Sequence, residues 1–292
     1  MTGPRPHAPW LPMLVCAAGV ASFAVMDALM KQLSIMAGAY NALLWRSCIG
    51  AGLSALLFAR SPQRRLPPAA VLKLHVRRAS LNIVMAWLFF WALIRLPLAE
   101  AIALSFIAPI AALYLSALLL HEKIRRSAII AAALGFAGVL IILSTKASSP
   151  THRPDVWLGV AALFCSALLF AYNLILQRQQ AQLAPPAEIT FFQSLLFLVL
   201  LLPLAPWFGI APTPAAFAPV AGAAILATAS LMCLSWAYAR AEAQILIPIE
   251  YTGFLWAALM GWLIFAEPVT LATFAGAALI VAGCLIIARD RP

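Results

Sequence analysis

From Leu11 to Ala288 the chain alternates between long apolar runs and short polar breaks. Ten runs approach the ~20 apolar residues that a bilayer crossing needs at about 1.5 Å per residue. They are Leu11–Leu33, Tyr40–Ala59, Leu74–Ile94, Leu98–Leu120, Ser127–Thr145, Val156–Gln177, Ala187–Trp207, Ala215–Tyr238, Ala243–Phe265 and Leu271–Ala288. Prolines mark the breaks: Pro62, Pro67 and Pro68; Pro97; Pro150 and Pro154; Pro185 and Pro186; Pro212 and Pro214. Each removes a backbone donor and fixes φ, so a helix ends or starts there. No break is long enough for a second domain. The third run opens with His75, Arg77 and Arg78, which are expected at the membrane interface, so its apolar part starts near Ala79. The first run imitates a secretory signal, but it extends past Ala24 and is read as a retained span.

The pattern repeats. A shift of 145 positions brings Trp91 onto Trp236, Arg95 onto Arg240, Glu122 onto Glu267, and Gly138 onto Gly283. Shared apolar bias does not put Trp, Arg and Glu in one register. The halves, 1–148 and 149–292, each hold five spans. An odd number means that the second half is inserted upside down relative to the first. The expected fold is an all-α integral membrane protein of ten helices, in two inverted five-helix repeats around a central cavity.

Composition agrees. Of 292 residues, 65% are hydrophobic and 10% charged, against roughly a quarter charged in soluble domains. The net charge of +10 reflects Lys and Arg in the breaks. They form no basic stripe with interleaved aromatics, so nucleic acid is not an expected partner. Fourteen of the nineteen, Arg60 and Arg126 among them, fall on the side of the N-terminus, and four (Lys31, Arg95, Lys146, Arg153) on the other. That asymmetry puts both termini in the cytoplasm of a bacterial-type inner membrane. The five cysteines lie in apolar runs without a C-x-x-C pair. No metal site, cofactor, protease motif or P-loop is present, and no catalytic residue is expected.

Ionisable groups inside spans are costly and need a reason. Asp27 lies about six residues before the end of the first span, and Arg46 about six or seven into the second. In an antiparallel hairpin both sit roughly 9–10 Å below the surface. Two readings fit: an internal ion pair neutralising Asp27, or a charged corner for the two ends of a zwitterion. Lys31 lies one turn above Asp27. Glu250, after Pro248, is suited to bind an amine or carry a proton, or to sit neutral against another helix. Asn82, Ser105, Asn173, Gln177 and Gln193 could bind solute or bond across helices. Trp87 and Trp91 share a face of the third span, and Phe106, Tyr172 and Tyr251 add aromatic or polar surface. The candidate solute-binding residues are Asp27, Arg46, Asn82, Trp87, Phe106, Tyr172, Asn173, Gln193, Glu250 and Tyr251. Glu122 and Glu267 read as structural, capping the fifth and tenth spans.

Certain motifs resemble the EamA-type drug/metabolite transporter superfamily. They are Ala103–Pro109 leading to His121-Glu122, Ile247–Gly253 leading to Glu267-Pro268, and the early Met26-Asp27-Ala28 and Trp45-Arg46. The resemblance covers nearly the whole chain and is weak for substrate. It implies alternating access, a cavity built from spans 1–4 and 6–9, and peripheral spans 5 and 10. Within the superfamily the chain is similar to amino-acid exporters, and also to carriers of riboflavin or S-adenosylmethionine. The expected partners are a small-molecule solute and membrane lipid, with a monomer favoured. An intramembrane enzyme or scramblase is the alternative from another class.

Overall fold

The computed structural model describes residues 10–62, 66–105, 107–108, 111, 126–147, 154–241, 246, 249–250 and 252–289. Within these the chain forms helices and turns and no strand. The helices are α1 (Trp10–Arg60), α2 (Ala69–Leu93), α3 (Leu98–Ser105), α4 (Arg126–Ala147), α5 (Pro154–Leu183), α6 (Pro186–Leu201), α7 (Ala205–Phe208), α8 (Pro214–Tyr238), α9 (Gly253–Phe265) and α10 (Leu271–Arg289). A single 3-10 turn, Leu202–Leu204, joins α6 to α7.

α1 covers two predicted runs without an intervening loop. Its helical dihedrals fail only at Gly38, with φ 82° and ψ 156°. A straight helix would put Met26 and Arg46 about 30 Å apart, yet Arg46 Nη1 lies 3.5 Å from Met26 Sδ. The arms 10–37 and 39–60 therefore fold back on each other as a hairpin. Asn41 and Tyr40, just past the bend, hold the segment after α6. Asn41 Oδ1 accepts from Ile210 N–H at 2.9 Å, and Tyr40 donates to Leu201 O at 2.8 Å. Trp45 donates to Ile210 O at 2.8 Å. The seventh run also departs from a single helix, because Pro203 and Pro206 break it after Leu201.

Five described helices, α1, α2, α5, the α6–α7 segment and α8, are long and apolar enough to cross a membrane, and shorter apolar helices accompany them. Outward side chains such as Leu255, Trp262 and Phe274 are apolar and exposed. A belt of this kind suits acyl chains and would aggregate in water. The hydrophobic core centres on α1, with Met26, Met30, Leu33, Leu43 and Trp45 packed against α2, α3 and α8. α10 lies on α4 so closely that a Cβ at Gly276 would stand 2.6 Å from Gly138 O. Small residues at such a crossing let two backbones approach.

Candidate functional site

The bundle encloses a cavity of about 330 Å³. Helical spacing explains its walls, because residues three or four apart share one face. α2 presents Arg78, Asn82, Met85 and Phe89. α5 presents Ser166, Phe170, Asn173 and Gln177, and α6 presents Thr190, Gln193 and Phe197. The first arm of α1 adds Val20, Phe23 and Asp27, the second Arg46 and Gly50, and α8 Thr228 and Leu231. Phe23, Phe89, Phe90, Phe170 and Phe197 make the walls aromatic.

Four ionisable side chains touch the cavity: Asp27, Arg46, Arg78 and Glu250. Asp27 and Arg46 face each other from the two arms and attract electrostatically. They form no contact ion pair among the described residues, and the Arg46 guanidinium also lies 5.8 Å above the Phe197 ring. Glu250 accepts a hydrogen bond from the Tyr238 hydroxyl at the end of α8. Asn82 Oδ1 and Gln193 Oε1 are buried and have no donor among the described residues. An unmatched buried acceptor costs on the order of 1–3 kcal/mol.

Arg78 and His75 differ from expectation. They are 2% and 1% exposed, turned into the bundle near its end at the turn between α5 and α6 rather than outward. α2 begins at Ala69, so these residues lie two turns into the helix, on the face that continues to Asn82. Arg78 Nε donates to Asn173 Oδ1 at 3.0 Å and Nη2 to Gln177 Oε1 at 2.9 Å, while Nη1 donates to Gln180 Oε1. His75 Nε2 lies 3.1 Å from Glu188 Oε1, and its ring stacks on Phe192 at 4.8 Å. Arg77, about 100° round the helix, reaches the Tyr172 hydroxyl at an exposed position.

The end of the bundle near Gly38 is tied separately. Ala266 adopts a left-handed conformation (φ 52°, ψ 33°) that closes α9. Gly261, lacking a Cβ, leaves room for the Glu267 carboxylate. Glu267 pairs with Lys31 of the first arm, and its Oε2 accepts the Leu98 N–H at 2.8 Å. Lys31 also donates to Leu96 O at 2.9 Å and lies 4.9 Å above the Phe265 ring. Glu267 thus caps α3 rather than the tenth span. Thr270 caps α10 instead, accepting the Thr273 N–H at 3.1 Å. Lys31 is engaged with Glu267, not Asp27.

Of the sequence-derived candidates, Asp27, Arg46, Asn82, Asn173, Gln193 and Glu250 line the cavity. Trp87 is half-exposed and Tyr172 is engaged by Arg77, and neither lines it. Phe106 and Tyr251 lie outside the described residues, as do Pro109, Pro248 and Glu122. Sequence reasoning missed Arg78 and the phenylalanines. The signal was the four-residue step from Asn82 back to Arg78 and the seven-residue step on to Phe89. Trp87 is five residues from Asn82, about 140° round the helix. Among the described residues no three His, Cys, Asp or Glu side chains converge as metal ligands.

A cavity walled by helix faces and lined by a few charged and amide side chains is an arrangement that suits a membrane carrier. A sequence profile described as the EamA-like transporter family matches the chain twice, over residues 10–144 and 157–289, and the chain belongs to that family. It is similar to the "Pseudopaline exporter CntI" of Pseudomonas aeruginosa, at 27% identity over 272 residues, covering 92% of this chain and 93% of that one. It is also similar to a "Riboflavin transporter" of Rhizobium johnstonii, at 30% identity over 249 residues, covering 81% and 78%. A solved crystal structure aligns with 96% of this chain and 97% of its own at TM-score 0.66 and 18% identity, a likeness of fold alone. The protein is a multi-pass bacterial membrane transporter of metabolites, not an enzyme, and its cargo is a small-molecule solute.

Proposed function

We propose that this transporter moves small zwitterionic metabolites, aromatic or apolar amino acids foremost, and exports them by alternating access. The observation that carries the reading is the set of unmatched groups on the cavity wall. Asn82 Oδ1 and Gln193 Oε1 lack donors, and Asp27 bears an acid without a contact ion pair among the described residues. Arg46 and Arg78 bring cations. An ammonium and a carboxylate on one small molecule answer both needs. The phenylalanines supply apolar surface for its side chain. Export draws support from the name of the CntI relative, which is matched over nearly its whole length.

Ten spans in two inverted halves go with this reading. Their support is a family profile that fits twice, and a motif built twice in the same way. Arg95 lies 3.5 Å over Trp91 and donates to its carbonyl at 2.9 Å. Arg240 lies 4.2 Å over Trp236 and donates to its carbonyl at 3.2 Å.

A second reading, a flat metabolite of the riboflavin kind, is favoured by the aromatic walls and by the riboflavin transporters among the relatives. The cavity volume argues for the smaller solute, since ligand pockets run from about 300 to 1,000 Å³ and this one is near the bottom. The test is counterflow of labelled solutes in liposomes, repeated with Asp27→Asn and Glu250→Gln. Each variant is expected to fold and to lose at least about tenfold in apparent affinity or rate, about 1.4 kcal/mol. Lipid scrambling with no solute flux, or full activity in both variants, would sink the assignment.

A further inference from the structure

The polar network between α2, α5 and α6 has a fixed direction. A guanidinium donates hydrogen bonds and accepts none. Gln180 must therefore turn its oxygen to Arg78 and its amide nitrogen to His75, where Nε2 lies 2.5 Å from Nδ1. His75 Nδ1 accepts, so it carries no proton. The ring's proton is on Nε2 and is donated to Glu188 Oε1. The chain runs Arg78, Gln180, His75, Glu188, with a cation at one end, an anion at the other and a neutral imidazole between.

Resting on the carrier reading above, we propose that Arg78 is the residue that binds the solute's carboxylate, and that His75, acting through Gln180, is the positioning residue that governs its release from the protein's own amides. A proton arriving from water at His75 Nδ1 would meet the Gln180 NH₂ group. Gln180 then has to turn over, offering oxygen to His75 and NH₂ to Arg78. Arg78 loses an acceptor at that moment. Its five N–H groups have three described acceptors, Asn173, Gln177 and Gln180. A carboxylate in the cavity replaces the withdrawn amide with a charge-assisted bond, roughly twice as strong as a neutral one. Proton at His75 and carboxylate at Arg78 therefore favour each other, and by linkage the effect is reciprocal.

The groups that face His75 fit this role. Among the described residues the charged ones are Arg78 on its own helix and Glu188 on α6. α5 contributes the neutral Gln180, and Phe192 covers a face of the ring. Glu188, 3% exposed, is the counter-ion ready for an imidazolium.

The experiment uses purified full-length protein in detergent, with 3-phenylpropionate as carboxylate probe and phenethylamine as its cationic counterpart. Affinities are read from thermal shifts between pH ~5.5 and ~8, where an ordinary histidine titrates. The carboxylate probe stays ionised over this window. Its affinity is expected to rise as pH falls, approaching about tenfold per unit at the steepest for one linked proton. Phenethylamine should show no such rise. Arg78→Lys should weaken 3-phenylpropionate at least about tenfold. The slope should vanish in His75→Gln and in Gln180→Leu, and the wild-type contrast between the probes decides the matter if neither variant folds. A flat wild-type profile, a slope that survives His75→Gln, or unchanged binding in Arg78→Lys overturns the proposal. Counterflow tests the carrier reading separately: a slope without flux removes that reading and keeps this one, and flux with a flat profile does the reverse.

Discussion

At the scale of single residues, charge inside the bundle is arranged so that some groups are fully answered and others, such as Asp27, form no contact ion pair among the described residues. Lys31 is answered: its ammonium meets Glu267, the Leu96 carbonyl and the Phe265 ring. Breaking a buried pair by removing one partner costs on the order of 3–5 kcal/mol, while replacing both by apolar groups is often neutral. Glu267→Gln should therefore lower thermal stability by about 3 kcal/mol, the low end because this carboxylate is 21% exposed. The double variant Lys31→Met, Glu267→Leu should recover much of the loss. A denaturation series completing the double-mutant cycle checks this, and strictly additive losses would show that the pair is uncoupled. The acids and amides of the cavity were legible in the sequence because a charge or amide in an apolar run stands out, as Asp27, Arg46, Asn82 and Glu250 do. Arg78 was not, since a basic residue near the start of a run looks like an interface anchor. Only its helical phase relative to Asn82 separates the two cases.

At the scale of elements, two glycines set the geometry. Gly38 has dihedrals in a region open almost solely to glycine. A Cβ there would meet nothing within 4 Å, so the cost of Gly38→Ala is backbone strain alone, about 1–3 kcal/mol. Gly276→Ala acts by the opposite route: ordinary helical backbone, but a collision with Gly138 O, which should cost about as much through displaced packing of α4 and α10. Melting curves of the two variants measure both, and a wild-type curve for either would refute the corresponding account. The long membrane-crossing helices could be read from apolar run length. The reversal between the first two runs could be read as well, between Leu33 and Tyr40; what stayed hidden was that no loop intervenes and that Gly38 alone carries the turn. The seventh run could be read at nearly its observed length, and Pro203 and Pro206 only tighten its last turns into a 3-10 turn and a short helix.

At the scale of the molecule, the ties fall into two sets at different levels of the bundle. Lys31, Leu96 and Glu267 gather near Gly38, while His75, Glu188 and Gln180 gather near the turn between α5 and α6. Reporter fusions at the two termini should report the same compartment, and a fusion after Lys146 the other. Opposite signals from the two ends would exclude an even number of spans. The repeat was readable in the chain because Trp, Arg and Glu recur in register, and the Arg–Trp stacks at the ends of α2 and α8 give that register a physical use. The substrate side of the molecule was less readable, since it depends on which face each helix turns inward, and phase is only loosely encoded where every face is apolar.

The bridge from Lys31 to Glu267 joins positions 236 residues apart. During synthesis the first hairpin enters the bilayer long before that carboxylate has been translated. Until then the Lys31 ammonium lacks its carboxylate partner, and a cation in that position is best satisfied near water. Glu267, which follows the ninth helix, supplies that anion. The order in which the chain is made is thus recorded in one ion pair, which forms only when assembly is nearly complete.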